Sequence, residues 1–497
     1  MLDSIELRNF RAFRDGTVLP FSPLTLILGS NSAGKSSLLS ALLLMKQTIE
    51  DPSFGVQIPI LRLNGTRIDA GNYRDIVYSH NIKSKIGFSF HFSNNSQSVG
   101  SPLVGLRIPR MHYAPWMYRR FRNSRAESRR KLQSLKLDYS SAGQFSPNLS
   151  SFRATQADGN GAWFTRTTER ERIQHWKAYT HGLPQQSLSL GFSESSPFFP
   201  DIRLRKKAWA PKDYRMLRTF MRETNASMQE VSEFLSLMTY VGPFRTPPKR
   251  RYSFSGLAAS ETGQSGEQAM DLLILETITR HQSSTPLRDA VAFWLRHMNL
   301  AKSVDVSSIA AGSNLFEIML SGAGTAKSAN IADVGFGISQ VLPVLIQGLL
   351  TPRGGLYAVQ QPELHLHPDA QAGLADFFLF LAEQGIRCMI ETHSEYLLVR
   401  LRRRLAEGGL PSNLRTLARR VIATPERHRF YGQVPYPEQS ITRDDVSVLL
   451  VESVARHSRI RPAVINDLFQ LENLPADFMA QSLQDRIAIS KALKPAS

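Results

Sequence analysis

The residues best suited to chemistry form a short loop bounded by glycines, between the apolar run Leu24 to Leu28 and the apolar helical stretch Ser37 to Met45. Glycines let backbone N–H groups converge on phosphate oxygens at a helix N-terminus, where the helix dipole favours negative charge. In such a loop Lys35 reaches the β- and γ-phosphates, and the Ser36 hydroxyl ligates Mg²⁺. The sequence therefore predicts a P-loop that binds a nucleoside triphosphate. Its residues are Gly29, Ser30, Asn31, Ser32, Ala33, Gly34, Lys35, Ser36 and Ser37.

Strands and a helix must hold this loop in place. Apolar runs and turn signals predict strands at Ser4 to Arg8, Thr17 to Phe21 and Leu24 to Leu28. Leucines at helical spacing after the loop predict a largely buried helix. Short alternating runs over residues 57–107 predict a β-rich subdomain.

Strand and helix signals alternate again in the second half of the chain. They predict an apolar helix that follows Gln340 and runs through Leu350, a strand Leu356 to Val359, a helix Asp369 to Glu383, a strand Ile386 to Ile390, a basic helix ending near Gly408 and a strand Val446 to Val451. Such alternation predicts an α/β fold with a mostly parallel sheet.

Length and composition limit the class of protein. The 497 residues exceed one ordinary core, so two or three lobes are expected. The net charge of +18 points to a polyanionic partner or a dispersed basic surface. One cysteine, Cys388, excludes an intramolecular disulfide. With no apolar signal segment and no apolar run of membrane-spanning length, we expect a cytoplasmic protein without a membrane partner.

The middle of the chain differs in composition. Residues 110–136 hold nine Lys or Arg and one acid, interleaved with aromatic residues, and Arg203 to Arg222 holds eight more Lys or Arg. Residues 137–162 are rich in Ser, Gly, Asn and Gln, which predicts a loop or disorder. The basic runs fit nucleic acid, an acidic protein or a solvated surface. We therefore expect four parts: 1–107 and 236–425 as halves of one nucleotide-binding head, 108–235 as a basic α-rich insertion, and 426–497 as a mixed tail.

The order of motifs resembles the ABC-type ATPases of the SMC, RecF and OLD group. Within that group it is most similar to bacterial anti-phage defence ATPases of the Septu (PtuA-like) and PARIS (AriA-like) kinds. The resemblance covers roughly residues 1–100 and 236–497. It is carried by the start Ile5 to Phe13, the P-loop, the run Gly335 to Gln340, the run Pro362 to Pro368 and Thr392-His393-Ser394.

This resemblance implies that two heads enclose ATP and Mg²⁺ between them. The signature of one subunit then meets the γ-phosphate bound by the other, at Gly335, Gly337, Ser339 and Gln340. A helix N-terminus with small residues offers suitable donors to phosphate. The resemblance also implies that Asn9, with its neighbour Arg8, approaches the nucleotide. It implies a homodimer or a higher homo-oligomer.

The same resemblance places the residues of hydrolysis after the strand Leu356 to Val359. An acid that holds the Mg²⁺ shell is expected first and a residue that orients the attacking water second, but the sequence has Gln360 and Gln361. An amide carries no full charge and accepts no proton, so binding should survive while hydrolysis slows. Gln360 is either an introduced Glu→Gln substitution or a natural departure. Glu363 is the nearest carboxylate in the motif, and His393 stands at the position of a switch histidine that senses the γ-phosphate.

The resemblance thus predicts an ATPase that controls a separate effector, a nuclease or toxin, in anti-phage defence. The run Val446 to Glu452 looks like the start of a nuclease (TOPRIM) domain, but only 45 residues follow it and they contain no Asp-x-Asp. Cleavage is therefore expected from a partner. Two alternatives stay open. One is a RecF-like DNA-repair ATPase that binds DNA through its basic insertion, in which case neutralising Arg119, Arg120, Arg129 and Arg130 should abolish DNA binding. The other is a non-hydrolysing nucleotide-gated scaffold.

Overall fold

The structure is a computed structural model that describes most of the chain. The described residues are 1–50, 60–93, 132–141, 147–167, 175–191, 198–205, 209–256, 260–279, 286–310, 312–322, 328–416, 440–454 and 457–473. Most of the first basic run, including the four arginines of the DNA-binding alternative, lies outside these ranges.

The elements fall close to their predicted positions in both halves of the head. The helices are α1 (Lys35–Glu50), α2 (Tyr73–Ile76), α3 (Pro211–Ser236), α4 (Ala269–Thr279), α5 (Pro286–His297), α6 (Phe336–Leu350), α7 (Pro368–Glu383) and α8 (Glu395–Ala406). The strands are β1 (Leu2–Arg8), β2 (Thr17–Pro20), β3 (Leu24–Gly29), β4 (Ile86–Phe92), β5 (Leu132–Ser141), β6 (Pro147–Gln156), β7 (Gly161–Thr167), β8 (His175–His181), β9 (Leu188–Gly191), β10 (Asp201–Leu204), β11 (Thr239–Val241), β12 (Tyr252–Ser253), β13 (Ser303–Ser308), β14 (Leu315–Ser321), β15 (Ala329–Asn330), β16 (Leu356–Gln360), β17 (Arg387–Glu391), β18 (Val446–Val454), β19 (His457–Ile465) and β20 (Leu471–Glu472).

The core sheet has the order β11-β16-β17-β3-β18-β19-β20, and its first five strands are parallel. Side chains alternate between its faces: Leu26 and Val359 join the core formed with α4 to α7, whereas Ile27 and Ala358 join the core that includes α1 and α3. Both faces are covered, which explains why β3 is apolar at nearly every position. The predicted parallel sheet is confirmed.

The second large sheet is antiparallel, in the order β2-β1-β4-β5-β6-β7-β8. The prediction of a loop or disorder over residues 137–162 is wrong, because β5, β6 and β7 run through this segment. Leu135, Leu137 and Tyr139 are buried while the residues between them are partly exposed. This period of two marks a strand, and the many Ser and Gly residues around it hide the pattern in the sequence.

The basic segment 108–235 is not α-rich in its described part, which corrects that expectation. Strands β5 to β8 extend the sheet of β1 and β4, and β9 pairs with β10. The helix α3 closes the segment and packs against α1 and β5. Burial of Leu217, Phe220 and Val231 along one side of α3 ties this segment to the N-terminal core.

The strand predicted in the tail is confirmed and belongs to the core sheet. β18 lies parallel to β3, with Val451 opposite Gly29, and β19 folds back beside it. The similarity of this run to a nuclease strand is therefore superficial. Glu452, its acid, forms an ion pair with Arg461 of β19.

A buried ion cluster joins the two helices that follow β16 and β17. Asp376 of α7 is fully buried and accepts hydrogen bonds from His297, Arg400 and Arg404. Burial alone raises the pKa of a carboxyl group, but the bonds from His297 and Arg404 outweigh it and lower the pKa of Asp376 to about 2. The cluster fixes α8 against α7, and therefore fixes the loops at their N-termini.

Candidate nucleotide-binding site

The predicted P-loop connects β3 to α1, at the carboxyl edge of the core sheet. Gly29 has a φ of 141°, and a Cβ at this position would lie 2.2 Å from the Val451 carbonyl oxygen. Gly34 has a φ of 98°, which side-chain-bearing residues rarely adopt. Only glycine fits at position 29, because the loop turns closely beside β18 there. The first N–H groups of α1 have no i−4 partner within the helix; that of Ser37 donates to the Gly34 carbonyl at 3.0 Å, and a helix N-terminus of this kind can bind a phosphate.

Lys35 points back along this loop. Its Nζ donates to the carbonyl oxygens of Gly29 at 2.9 Å and Ser30 at 2.8 Å, and the residue is 5% exposed. Burial lowers the pKa of Lys35, while the charges of Glu391 and Glu363 oppose this shift. The ammonium group is thus held where phosphates would enter.

Ser36, at the start of α1, meets the side chains at the ends of two neighbouring strands, Gln360 of β16 and Glu391 of β17. The Ser36 hydroxyl donates to Glu391 Oε1 at 3.2 Å, and Gln360 Nε2 donates to Glu391 Oε2. Gln360 Oε1 accepts a hydrogen bond from the Tyr240 hydroxyl. Gln360 and Glu391 are register partners on the parallel strands β16 and β17, so both side chains reach the same edge.

Backbone contacts shape the segment after β16. The N–H of Gln361 donates to the Glu391 carbonyl at 2.7 Å, and its φ is 44°. Arg245 is 6% exposed and donates through Nη2 to the carbonyl oxygens of Gln360 at 2.7 Å and Gln361 at 3.2 Å. Burial lowers the pKa of Arg245. A buried guanidinium thus fixes the two glutamines in place.

Glu363 and His393 form one contact between the two loops. Glu363 Oε1 accepts the backbone N–H of His393 at 2.7 Å. Burial raises the pKa of Glu363, and this hydrogen bond opposes the rise. His393 lies at the surface with its ring partly covered, and this partial burial, with the charge of Lys35, lowers its pKa.

The predicted signature lies at the N-terminus of α6. Gly335 is exposed and caps the helix without a side-chain hydrogen bond. A Cβ on Gly337 would lie 2.4 Å from the His365 carbonyl oxygen, so α6 packs closely against the segment after β16. Ser339 Oγ donates to the Phe336 carbonyl at 2.7 Å, and Gln340 is buried. In this single chain the exposed donors are those of the helix terminus, not the side chains of Ser339 and Gln340.

The remaining candidates lie around these loops. Asn9 has a φ of 52° and donates through Nδ2 to the Lys85 carbonyl at 3.0 Å, and Arg8 pairs with Asp138. These bonds tie both side chains to the antiparallel sheet. His365 and His367, two alternating histidines of the run Pro362 to Pro368, are exposed. Within the described ranges, no group of three or more His, Cys, Asp or Glu residues is arranged to hold a metal ion.

Three residues of the site do not follow from the sequence patterns: Tyr240, Arg245 and Glu391. Glu391 had one available signal, because it directly follows a predicted strand, and the carboxyl ends of parallel strands share an edge. Tyr240 and Arg245 come from β11 and the segment after it, more than a hundred residues before β16. No local spacing connects them to the site.

The donor set of the site fits Mg²⁺ bound together with a nucleotide. A serine hydroxyl and a carboxylate are hard oxygen groups, whereas the amide oxygen of Gln360 already accepts a hydrogen bond from the Tyr240 hydroxyl. Mg²⁺ in such sites takes one or two protein groups, several waters and the phosphates. Ser36 and Glu391 meet this requirement without a cluster of acids.

Comparison with known proteins gives a family. The model described as "AAA domain, putative AbiEii toxin, Type IV TA system" matches residues 24–400. No protein of curated function matches the sequence.

Three solved structures of SMC heads are similar at low identity. One is an SMC head bound to the C-winged helix domain of ScpA, with 11% identity, a TM-score of 0.36 and coverage of 93% of this chain and 97% of that chain. A second is the SMC head domain from Thermotoga maritima, with 9% identity, a TM-score of 0.34 and coverage of 93% and 98%. A third, from Pyrococcus furiosus, is an Smc head with an extended coiled coil bound to the C-terminal domain of ScpA, with 10% identity, a TM-score of 0.34 and coverage of 99% of both chains.

The core sheet, with a P-loop after β3 and polar strand ends at β16 and β17, defines the fold as an ABC-type ATPase head. The chain belongs to the family described as "AAA domain, putative AbiEii toxin, Type IV TA system". It is an ATPase by family, and membership implies nucleotide binding. None of the described helices has the length and apolar character needed to cross a bilayer.

Proposed function

We propose that the chain binds ATP and Mg²⁺, dimerises around them and uses the nucleotide state to control a separate effector. One observation carries the nucleotide part: Lys35, Ser36, Gln360 and Glu391 converge at a single sheet edge, where β3, β16 and β17 end. This edge is where open α/β sheets bind their ligands. ATP phosphates would lie along the P-loop amides and Lys35, with Mg²⁺ at Ser36.

Dimerisation is supported by the exposed N-terminus of α6. Gly335 and Phe336 are exposed, and nothing lies within 4 Å of a Cβ placed on Gly335. An exposed helix N-terminus with small residues can accept a phosphate from outside the chain. A second copy would supply that phosphate, already bound to its own P-loop.

Hydrolysis is expected to be slow in this chain. Neither Gln360 nor Gln361 carries a charge or accepts a proton, and Glu363 is bound to the backbone of His393. Slow turnover would prolong the ATP-bound dimer. The chain would then act as an ATP-responsive switch rather than a fast enzyme.

Replacing Gln360 with glutamate is expected to raise ATP turnover by about tenfold or more, because a carboxylate adds charge next to the metal and can accept a proton. The rate of phosphate release at steady state measures this turnover. Gln384→Glu at the far end of α7, where Gln384 contacts Arg353, is the matched control and should leave turnover unchanged. Unchanged turnover in Gln360→Glu would instead assign the chain to the non-hydrolysing scaffolds.

The proposed effector is a separately encoded nuclease or toxin in anti-phage defence. This role is supported by the family, whose description names a putative toxin system, and by the resemblance of the motifs to defence ATPases. DNA repair is the second candidate. It is favoured by the exposed basic face of α3, where residues three or four apart share a side: Lys212, Arg215, Arg218 and Arg222.

Co-expression of the chain with its neighbouring genes separates the two roles. If the proposal holds, a nuclease or toxin encoded beside it should co-purify in fixed stoichiometry, and its activity should depend on the nucleotide. A chain that purifies alone, beside no effector gene, and binds duplex DNA with a steep salt dependence would favour repair. Fluorescence anisotropy at several salt concentrations measures the second outcome.

A further inference from the structure

We propose that Glu391 supplies the carboxylate of the Mg²⁺ site, in place of the residue at the end of β16, and that Gln360 positions it. This inference rests on the proposed binding of ATP. In the expected arrangement the strand that ends at position 360 carries the acid. Here the acid stands one strand over, at the end of β17, between β16 and the P-loop strand β3.

The contacts of Glu391 face the metal-binding serine. Oε1 accepts from the Ser36 hydroxyl at 3.2 Å, and the residue is 4% exposed. Two adjacent ligands of an octahedral Mg²⁺ lie about 3 Å apart, since each Mg–O distance is about 2.1 Å. Ser36 Oγ and Glu391 Oε1 therefore already have the separation of neighbouring ligands. For both oxygens to face a cation, the Ser36 hydroxyl proton would have to turn away from the carboxylate.

Glu363, the other carboxylate that acts on Lys35, is less suited to this role. Its Oε1 accepts the backbone N–H of His393 at 2.7 Å. Its Oε2 is buried without a hydrogen-bond partner, but among the described contacts neither oxygen of Glu363 meets Ser36 or Gln360. The described contacts connect only Glu391 to both the P-loop serine and the end of β16. Glu391 is thus the acid placed to share a cation with Ser36.

Gln360 suits this arrangement because it has both a donor and an acceptor. The Tyr240 hydroxyl donates to Gln360 Oε1, which leaves Nε2 to donate to Glu391 Oε2. Glutamate at position 360 could not donate this hydrogen bond, and in the chain without Mg²⁺ two carboxylates would face each other. The amide therefore holds Glu391 with its other oxygen directed at Ser36. Gln360 acts as a positioning residue in the Mg²⁺ site.

The test compares ATP affinity in Mg²⁺ and in EDTA by isothermal titration calorimetry. Mg²⁺ should tighten ATP binding by at least about tenfold in the native chain. In Glu391→Gln this gain should fall to within about twofold. The affinity in EDTA should stay equal or improve, because a negative charge near the phosphates is gone. Retained binding in EDTA also shows that the variant is folded.

Two further measurements sharpen the result. Electron paramagnetic resonance should show Mn²⁺ bound with ATP in the native chain and lost in Glu391→Gln. The double variant Gln360→Glu, Glu391→Gln moves the carboxylate to β16 and should recover at least part of the Mg²⁺ gain. Glu452→Gln, which removes a paired acid of β18, is the matched control and should keep the full gain.

The outcomes distinguish this inference from the proposed function. A Glu391→Gln chain that keeps the full Mg²⁺ gain and the Mn²⁺ signal overturns the role of Glu391 while leaving ATP binding intact. A native chain that binds no ATP in either condition overturns the proposed function itself.

Discussion

Replacement of Lys35 with alanine is expected to lower the affinity for ATP by about 100-fold, or about 2.7 kcal/mol. Lys35 is 5% exposed, and its ammonium group lies against the P-loop carbonyls. On ATP binding it would exchange these neutral acceptors for charged phosphate oxygens, and charge-assisted hydrogen bonds contribute about 1.5–3 kcal/mol. Alanine removes this gain entirely. Calorimetric titration with ATP and Mg²⁺ measures the loss.

Lys46→Met is the matched control for Lys35→Ala, because it also removes a buried lysine of α1. Lys46 pairs with Glu50 at 2.6 Å and donates to the Ser236 carbonyl at 3.0 Å, away from the P-loop. This variant should lose stability but keep its affinity for ATP. If Lys35→Ala binds ATP as tightly as the native chain, the P-loop does not hold the phosphates and the proposed function is wrong.

The position of the site could be predicted from the sequence because its two strongest signals are local. The P-loop follows a strand and begins a helix, and Gln360 follows an apolar run. Local patterns fix such elements without knowledge of the rest of the chain. Whether the predicted residues perform their roles stays a prediction until nucleotide binding is measured.

The role of Glu391 could not be predicted so directly, because it depends on strand order. The sequence shows that a strand ends at this point, but not that β17 lies between β16 and β3. In another order, Glu391 would stand far from Ser36. Position 360 alone therefore predicts a site without an acid, whereas the strand order of the core sheet places Glu391 beside Gln360.

The antiparallel sheet shows a second limit. The prediction of a loop over residues 137–162 relied on composition. Composition does not show which face of a strand each side chain occupies. Leu135, Leu137 and Tyr139 fill the core beside Phe88 and Phe152. Only their period of two reveals the strand, and it is clear once the partner strands β4 and β6 are known.

Gln360 and Glu391 together bear on two properties of the site, Mg²⁺ binding and ATP turnover. If Glu391 supplies the carboxylate, the glutamine at position 360 need not weaken Mg²⁺ binding, and its main effect would fall on turnover. ATP would bind with its metal and remain bound. That is the condition under which an ATP-held dimer persists, and it makes the exposed end of α6 the critical surface.

Replacing Gly335 with aspartate is accordingly expected to weaken the ATP-dependent dimer by at least about tenfold, or about 1.4 kcal/mol. The added carboxylate would stand at the N-terminus of α6, where the phosphate of the partner copy would lie, and like charges in such contacts cost several kcal/mol. The single chain should remain folded. Gly335 has open space around it and a φ of −53°, and aspartate is a favoured N-cap residue.

Gly335→Asn isolates the charge, because asparagine has nearly the shape of aspartate and also caps helices. This control should dimerise close to the native level. Sedimentation velocity with ATP and Mg²⁺ measures the dimer, and calorimetry confirms that each single chain still binds ATP. Equal dimerisation of the two variants would mean that no phosphate lies at this helix end, and the proposed head-to-head arrangement would have to be abandoned while ATP binding stands.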